Sequence, residues 1–253
     1  MRIARFSAEG DVGFAVVEGD EIAVIDRHPF GTLTFTGVRR QLAEVRLLAP
    51  VIPSKVVAVG RNYAEHAKEM GSEAPSRPII FIKPSTSVIG PRDAIARPAS
   101  VEQLDFEGEV AIVIGRLARD VPAARALDVV LGYTCANDVT ARDQQRADVQ
   151  FTRGKGYDTF CPLGPWIETD LDPADLRITT SLNGEQRQDG RTAQMVHPVA
   201  DIIAFVSAVM TLLPGDVILT GTPAGVGPMV AGDEVSVSVE GIGTLTNSVV
   251  DRG

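Results

Sequence analysis

The chain has 253 residues, which fits one large domain or one domain with a small extension. A hydrophobic content of 44% and a charged content of 23% are typical of an ordinary soluble globular protein with a sizeable core. The net charge of -9 argues against partners that need a basic protein surface, so we expect neither nucleic acid nor an anionic membrane as a partner.

The cysteines, histidines and apolar segments exclude further classes of protein. Cys135 and Cys161 form no CxxC pair, so a disulfide framework is not indicated. The three histidines are far apart in the sequence, which disfavours a zinc centre rich in histidine. The N-terminus lacks an apolar signal core, and the longest apolar stretch, residues 202–213, is too short to span a bilayer. We therefore expect a cytoplasmic protein.

Residues 1–50 are predicted to form a small β-rich N-terminal region. The runs RIARF, GFAVVEG and EIAVID are short and alternating, and Gly and Asp turns separate them. The segment APVIP at residues 49–53 is interpreted as a linker. Residues 51–253 would then form the second and larger domain.

The larger region contains more predicted strands than helices. Strands are predicted at VVAVG (56–60), IIFIKP (79–84), LDFEGEVAIVIG (104–115) and YTCANDVT (133–140). Farther along, Asn183-Gly184 is the strongest short hairpin signal, and Pro198 begins a helix with apolar residues at helical spacing. The C-terminal segment alternates again, as strands do.

Three short helices are expected between the strands. Asn62 would cap the first helix and Gly71 would end it. The second would be opened by Asp120 and Pro122 and would run through Leu131. Thr140 with Asp143 would form a capping box for the third. Because strict βαβ alternation is absent, we predict an α+β fold that is mostly β, with a mixed β-sandwich or β-roll core and short flanking helices.

The stretch LDFEGEVAIVIG carries acids at every second position, namely Asp105, Glu107 and Glu109. In a strand these side chains point to one face, where like charges repel. One interpretation is the solvated start of an edge strand. The other is a site for a hard divalent cation, Mg²⁺ or Mn²⁺, with Asp138 as the third ligand. Asp138 lies where a strand ends and a helix begins, so a helix cap is its alternative role.

Two further segments contain candidate catalytic groups. His66 and Glu69 are neighbours on a helix face, so the carboxylate can orient the imidazole as a general base, although a solvated helix face fits the same spacing. Lys155 lies between two glycines and could stabilise an enolate or oxyanion, although a lysine on a surface loop fits as well.

The glycine-rich segment TGTPAGVGPM, residues 220–229, resembles a phosphate-binding loop. It lacks the GK[ST] ending of a P-loop, so it is a weak nucleotide motif. An alternative is an active-site turn in which Thr222 and backbone N–H groups bind a carboxylate.

Several segments together resemble the fumarylacetoacetate hydrolase family over residues 51–250. The segments that carry the resemblance are VGRNYAEHAKEM, PIIFIKP, DFEGEVAIVIG, NDVTARDQQ, KGYDTFCPLGPWI, NGEQRQDG and PGDVILTGTPAGVG. The resemblance implies a β-roll catalytic core, a homodimer, and a Mg²⁺ or Mn²⁺ ion held by Glu107, Glu109 and Asp138. It gives Asp105 no ligand role, so we expect Asp105 either to lie next to the ligands and support them or to be solvated.

The resemblance also implies roles for other residues. His66 and Glu69 match the H-x-x-E helix of the short family members, which closes as a lid, and Lys155 matches a lysine that faces the substrate. Three residues match positions that hold the substrate: Arg142, Gln145 and Thr222.

The expected function is C–C bond cleavage in a short 2-oxo acid, by hydrolysis of an acylpyruvate or decarboxylation of oxaloacetate, through a metal-stabilised enolate. The N-terminal region is too small for the large fumarylacetoacetate hydrolases, so fumarylacetoacetate itself is not the expected substrate. The main alternative is a 2-hydroxyhepta-2,4-diene-1,7-dioate isomerase of aromatic catabolism. A non-catalytic module that binds acids is a third possibility, which an intact His66, Glu69 and Lys155 disfavour.

Overall fold

The computed structural model describes residues 1–252. These residues form strands β1 (Arg2–Ala8), β2 (Asp11–Glu18), β3 (Glu21–Ile25), β4 (Phe35–Gln41), β5 (Arg46–Leu48), β6 (Val56–Gly60), β7 (Ile79–Lys83), β8 (Val88–Ile89), β9 (Ile95–Arg97), β10 (Leu104–Phe106), β11 (Gly108–Ile114), β12 (Val130–Asn137), β13 (Thr140–Ala141), β14 (Cys161–Glu168), β15 (Arg177–Leu182), β16 (Glu185–Arg191), β17 (Val217–Leu219), β18 (Gly227–Met229), β19 (Glu234–Val239) and β20 (Gly243–Asp251).

The helices are few and short. The α-helices are α1 (Ala64–Glu69), α2 (Arg142–Ala147), α3 (Thr152–Lys155) and α4 (Val199–Val209). Short 3₁₀ helices lie at Leu42–Glu44, Ser85–Ser87, Ala123–Val129, Pro173–Asp175 and Thr192–Gln194. Within residues 1–252, no helix combines the length and apolar character needed to cross a membrane.

Three sheets account for the strands. The largest has the order β4-β3-β2-β1-β14-β12-β11-β17-β6-β7, with β5 paired to β1 and β8 paired to β14. A small sheet has the order β13-β10-β18, and a five-stranded sheet has the order β16-β15-β19-β20-β9. Most strand pairs are antiparallel, and the helices flank the sheets. This architecture confirms the predicted fold class.

The N-terminal strands are continuous with the main sheet. Strand β1 pairs antiparallel with β14, with Arg2 opposite Glu168 and Ile3 opposite Ile167. The N-terminal ammonium group of Met1 adds an ion pair to Glu168 at 2.5 Å. The β-rich N-terminal region therefore extends the main sheet, and the domain boundary near residue 50 stays a prediction.

The central strands of the main sheet are buried on both faces. In β11, Val110 and Ile112 pack in one hydrophobic cluster and Ala111 and Val113 in another, because successive side chains of a strand point in opposite directions. Helix α4 covers the first cluster with buried apolar residues such as Ile203. Burial on both faces explains why VAIVI is a continuous apolar run rather than an alternating one.

The predicted hairpin and the predicted long helix are confirmed. Asn183 and Gly184 join β15 to β16 with φ angles of 52° and 80°, as a two-residue hairpin turn requires. Helix α4 follows Pro198 directly. Gly71, with φ of 70°, lies just beyond helix α1, so the prediction that it ends this helix also holds.

Two predicted helix caps and one helix are wrong. Helix α1 begins after Tyr63, and the Asn62 side chain instead donates to the carbonyls of His197 and Thr220, at 3.0 and 2.8 Å. Helix α2 begins after Ala141 with no side-chain cap, because the Thr140 hydroxyl donates to Asp138 O. These polar side chains are buried, and their partners are distant in sequence or belong to the site. The predicted helix through Leu131 is a 3₁₀ helix that ends at Val129, since the next residues join strand β12.

Candidate active site

The acidic stretch forms two strands rather than one. Strand β10 ends at Phe106, β11 begins at Gly108, and Glu107 lies at the break between them. Gly108 is opposite Asn137, the last residue of β12, and Asp138 N donates to Glu107 O at 2.8 Å. This antiparallel pairing brings the residue after β12 beside the start of β11.

Carboxylate oxygens of Glu107, Glu109 and Asp138 lie within 4.8 Å of one another, and all three residues are buried. The alternative of a solvated edge strand is therefore wrong, and Asp138 does not cap a helix. Asp105 is buried as well. It accepts a hydrogen bond from Arg142 Nε at 2.8 Å, and Arg142 also contacts Glu107. Asp105 therefore lies next to the carboxylate cluster rather than in solvent.

Buried cations neutralise part of this negative charge. Lys155, at the end of α3, donates to Glu107 Oε2 at 2.8 Å and to Asp138 Oδ2 at 2.6 Å. Arg142 Nη2 donates to Glu107 Oε1 at 2.6 Å. Glu109 has no basic partner in the described part of the chain and accepts a hydrogen bond from Gly221 N at 2.6 Å. The basic side chains thus contact Glu107 and Asp138 but not Glu109.

The uneven charge distribution shifts the carboxyl pKa values in opposite directions. Burial raises the pKa of Glu109 well above its ordinary value, and the charges of Asp138 and Glu107 raise it further. Burial also acts to raise the pKa of Glu107, but Lys155 and Arg142 outweigh it and hold that pKa below its usual range. The negative charge of Glu109 is therefore less well neutralised than that of Glu107, and an additional cation beside Glu109 would stabilise its ionised form.

The donor set fits a divalent cation. Three carboxylates from two adjacent strand ends supply only oxygen ligands, the type that Mg²⁺ and Mn²⁺ prefer. A cation beside Glu109 would offset the repulsion that raises its pKa. Glu107, Glu109 and Asp138 are the residues that would hold it.

His66 and Glu69 are connected to the glycine-rich loop that follows β17. His66 is buried, and its Nδ1 lies 3.3 Å from Glu69 Oε2. The two carboxylate oxygens of Glu69 each lie 3.2 Å from the N–H of Gly225. One exposed carboxylate thus orients the imidazole and attaches helix α1 to the loop.

A cavity of about 460 Å³ brings the predicted residues together. Its wall includes every predicted site residue except Glu69 and Glu109. Both contact residues of the wall: Glu69 lies next to His66, and Glu109 lies next to Glu107 and Asp138. Arg61 and Arg146 add positive charge to the wall. A cavity with several cations and buried carboxylates suits a small anionic ligand.

Two of the three predicted substrate contacts, Arg142 and Thr222, use their hydrogen-bond donors within the protein. Arg142 Nη1 donates to Gln145 Oε1 at 2.6 Å, and its other nitrogens bind Asp105 and Glu107. The Thr222 hydroxyl donates to Gly108 O at 2.8 Å. Both residues line the cavity, yet their hydrogen bonds go to the protein around the carboxylate cluster. Their roles toward substrate remain predictions.

Two buried residues that contact the site were not predicted from the sequence. Lys83, the last residue of β7, donates to Asp138 Oδ1 at 2.5 Å. Lys83 lies two residues after Phe81 on the same strand face, and Phe81 lines the cavity. This spacing could have indicated that Lys83 also points toward the site. Gln188 lies in the polar hairpin strand β16 and contacts Gly108 and Thr222. No local pattern distinguishes it from its exposed neighbours.

Sequence comparison relates the chain to known proteins over its whole length. Residues 55–250 match the family described as fumarylacetoacetate (FAA) hydrolase C-terminal, and residues 1–50 match the family described as Rv2993c-like, N-terminal. Protein Rv2993c of Mycobacterium tuberculosis is 57% identical, with 100% of this chain and 99% of that protein covered. The human mitochondrial oxaloacetate tautomerase FAHD2A is 45% identical, with 99% and 92% covered.

Solved structures show the same relationship. A 5-carboxymethyl-2-hydroxymuconate delta-isomerase from Mycobacterium smegmatis is 55% identical, with a TM-score of 0.95 and 100% of both chains covered. A 2-hydroxyhepta-2,4-diene-1,7-dioate isomerase from Mycobacterium marinum is 54% identical, with a TM-score of 0.94 and 100% and 99% covered. The maleylpyruvate hydrolase of Sphingobium sp. SYK-6, solved with manganese(II) and pyruvate, is 34% identical, with a TM-score of 0.83 and 100% of both chains covered. The chain belongs to the fumarylacetoacetate hydrolase family, as the resemblance of its motifs predicted.

Proposed function

We propose that the chain is a divalent-cation-dependent enzyme that acts on short 2-oxo acids through their enolate forms. The observation that carries this proposal is the cluster of Glu107, Glu109 and Asp138 oxygens within 4.8 Å, next to a cavity lined with cations. A bound Mg²⁺ or Mn²⁺ would supply positive charge beside a substrate oxygen and so favour the enolate.

Lys155 would act as a fixed positive charge rather than as a base. Burial by itself lowers the pKa of Lys155, but Asp138 and Glu107 outweigh it and raise that pKa above its ordinary value. The ammonium group therefore stays charged at neutral pH. A charge held in a buried site stabilises a developing enolate oxygen without reorganisation during the reaction.

His66 is the group that we assign to proton transfer. It lies in the cavity wall and is oriented by Glu69 at 3.3 Å. In the enolisation of a 2-oxo acid, His66 would accept the proton from the carbon next to the keto group and return it there or at the oxygen. The contact of Glu69 with Gly225 attaches α1 to the glycine-rich loop, and a helix held there as a lid would exclude water from this step.

The enolate has two possible fates, and the relatives favour one of them. We place proton transfer first, in the form of keto–enol tautomerisation or isomerisation of a 2-oxo dicarboxylate. The support is that the relatives named as a tautomerase or isomerase are 45%, 55% and 54% identical, whereas the maleylpyruvate hydrolase is 34% identical. C–C cleavage, the outcome expected from the sequence, is the second candidate. It is supported by the maleylpyruvate hydrolase, whose structure contains manganese and pyruvate.

An assay of the purified chain with Mg²⁺ or Mn²⁺ separates these outcomes. Enol-oxaloacetate, acetylpyruvate and 2-hydroxyhepta-2,4-diene-1,7-dioate would each be supplied, with ultraviolet absorbance reporting enol loss and a coupled enzyme reporting pyruvate. Proton transfer predicts rapid loss of enol absorbance from oxaloacetate or the heptadienedioate without pyruvate. Pyruvate formation at the rate of substrate loss would instead establish cleavage. Metal binding without turnover of any of the three acids would favour the non-catalytic acid-binding module.

The proposal also includes the remaining expectations from the sequence. These are a homodimer, a cytoplasmic location and a domain boundary near residue 50. Light scattering of the purified chain would give the mass of the assembly, and a monomer would remove the dimer from the proposal.

A further inference from the structure

The peptide groups on both sides of Gly108 are held by a closed ring of hydrogen bonds. Gly108 N donates to Gln188 Oε1 at 2.9 Å, and Gln188 Nε2 donates to Thr222 Oγ1 at 2.7 Å. The Thr222 hydroxyl donates to Gly108 O at 2.8 Å, which closes the ring. Gly108 separates Glu107 from Glu109, so the ring fixes the backbone between two of the three clustered carboxylates.

Gln188 is fully buried although its strand is mostly exposed. Residues Glu185–Arg187 of β16 are exposed, whereas Gln188 turns inward. Its second amide hydrogen binds Pro223 O at 2.7 Å. The amide therefore uses both hydrogens and its oxygen within the protein, and one side chain joins the start of β11 to the loop after β17.

The backbone at Gly108 is also confined by close packing. A Cβ atom at this position would lie 2.0 Å from Thr180 Oγ1 and 3.2 Å from Gln188 Oε1. Only glycine fits this approach to β15 and β16 without displacement of a neighbour. The backbone at Gly108, next to the strand break, is thus held both by close packing and by the ring of hydrogen bonds.

Thr222 has no hydroxyl hydrogen left for a ligand in this arrangement. A hydroxyl donates one hydrogen bond, and that of Thr222 goes to Gly108 O. The same oxygen accepts from Gln188. In this arrangement the Thr222 hydroxyl binds the backbone at the start of β11, and the substrate role that the resemblance implies stays a prediction.

We infer that Gln188 and Thr222 are positioning residues that hold Glu107 and Glu109 in a cation-binding arrangement. This inference rests on the proposed metal site. Buried like charges would move apart if the connecting backbone were free, and the ring at Gly108 opposes that movement. Groups that orient ligands in this way typically change metal affinity by about 10–100-fold when they are removed.

The test is direct measurement of Mn²⁺ binding by electron paramagnetic resonance, on the full chain and without substrate. We expect Gln188→Leu and Thr222→Val each to weaken Mn²⁺ binding by about 10–100-fold. The double variant should bind with nearly the affinity of the weaker single variant, because both substitutions open the same ring. If Gln188→Leu does not fold, Thr222→Val carries the test, because valine keeps the shape of threonine.

Asn247→Leu is the matched control. Asn247 is a buried amide on β20 that donates to the carbonyls of Gly90 and Asp93, so its loss leaves two buried carbonyls unpaired. It should lower the urea midpoint but leave Mn²⁺ affinity unchanged. Wild-type affinity in Gln188→Leu and Thr222→Val would overturn the inference, as would losses no larger than that of Asn247→Leu. If the parent chain itself binds no Mn²⁺, the proposed metal site fails first, and the two failures are distinguishable.

Discussion

The ammonium group of Lys155 lies 2.6 Å from the carboxylate of Asp138, in a position where it contacts Glu107 as well. With Lys83 and Arg142, the buried cluster contains three cations. It contains four carboxylates, since Asp105 joins the three clustered acids. With Glu109 ionised, these groups carry one excess negative charge, and a bound divalent cation would change that to one excess positive charge. The loaded site should therefore attract an anionic substrate more strongly than the metal-free site.

Lys155→Met should separate cation binding from turnover. The substitution removes a positive charge next to two candidate ligands, so Mn²⁺ affinity should stay the same or rise. Turnover should fall about 100-fold or more, because the fixed charge at the enolate oxygen is lost. Titration with Mn²⁺ and initial rates at saturating metal would measure the two effects. A parallel loss of affinity and rate would show instead that Lys155 only supports the fold of the site.

Mg²⁺ should stabilise the folded chain through Glu109. A ligand at 100 times its Kd stabilises by about 2.7 kcal/mol, which for a chain of this size is a rise in Tm of roughly 5–10 °C. Glu109→Gln should remove the response to Mg²⁺, yet its Tm without metal should be equal or higher. The reason is that a neutral side chain does not repel Asp138 and Glu107. Differential scanning fluorimetry with and without Mg²⁺ measures both effects, and an equal shift in the variant would contradict the site.

The sequence predicted most of the fold because its signals are local. Asn183-Gly184 needs only its own positive φ angles to turn a hairpin, and helix α4 needs only Pro198 and an apolar stripe. The predicted caps at Asn62 and Thr140 were equally local, but both side chains are buried and bind atoms outside the helices. Tertiary partners therefore outweighed the local preference for capping.

The carboxylates of the site were predictable from spacing and resemblance, whereas their surroundings were not. Alternation placed Glu107 and Glu109 on one side, and the structure brings Asp138 next to them. Lys83 and Gln188 come from strands far away in sequence, and nothing in β16 marks Gln188 as buried. Long-range pairing decides which polar residue reaches the site, and a single sequence does not contain that information.

His66→Asn should lower kcat by about 10²–10⁴-fold if His66 transfers the proton. Glu69→Gln should have a smaller effect, because glutamine still accepts a hydrogen bond from Gly225 N although it no longer carries charge beside the imidazole. Mn²⁺ affinity should be unchanged in both variants, since neither residue belongs to the carboxylate cluster. Steady-state rates across pH 5–9, with Mn²⁺ titration as the control, test this assignment. An unchanged kcat in His66→Asn would show that a group other than His66 transfers the proton.

Asp216 should make the fold sensitive to acid. Burial acts to raise its pKa, but the N–H of Leu213, the Lys55 ammonium group and the Ser54 hydroxyl outweigh this and lower the pKa below its ordinary value. A carboxylate with a lowered folded pKa stabilises the fold above its unfolded pKa of about 3.9, and this stabilisation is lost as pH falls through the folded pKa. Asp216→Asn should therefore cost about 1.5–3 kcal/mol at pH 7, and the cost should shrink as pH falls below about 4.

Urea unfolding at pH 7, 5, 4 and 3 measures this dependence. Asp251→Asn is the matched control, because Asp251 forms an exposed ion pair with Arg97 and should change stability by less than about 0.5 kcal/mol at every pH. A cost of Asp216→Asn that stays constant from pH 7 to pH 3 would show that the Asp216 charge contributes nothing.

Gly108→Ala should damage both stability and Mn²⁺ binding, and a second substitution should restore part of each. The added Cβ would meet Thr180 Oγ1 at 2.0 Å, so β11 would have to move, and Glu107 and Glu109 with it. Thr180 Oγ1 is buried without a hydrogen-bond partner among the described residues. Its removal should offset much of the loss of the buried methyl group, so Thr180→Ala alone should cost at most about 1 kcal/mol. In the double variant the closest clash is absent. Urea midpoints and Mn²⁺ titrations of the three variants check this. Additive losses in the double variant would mean that the contact with Thr180 is not what excludes a side chain at position 108.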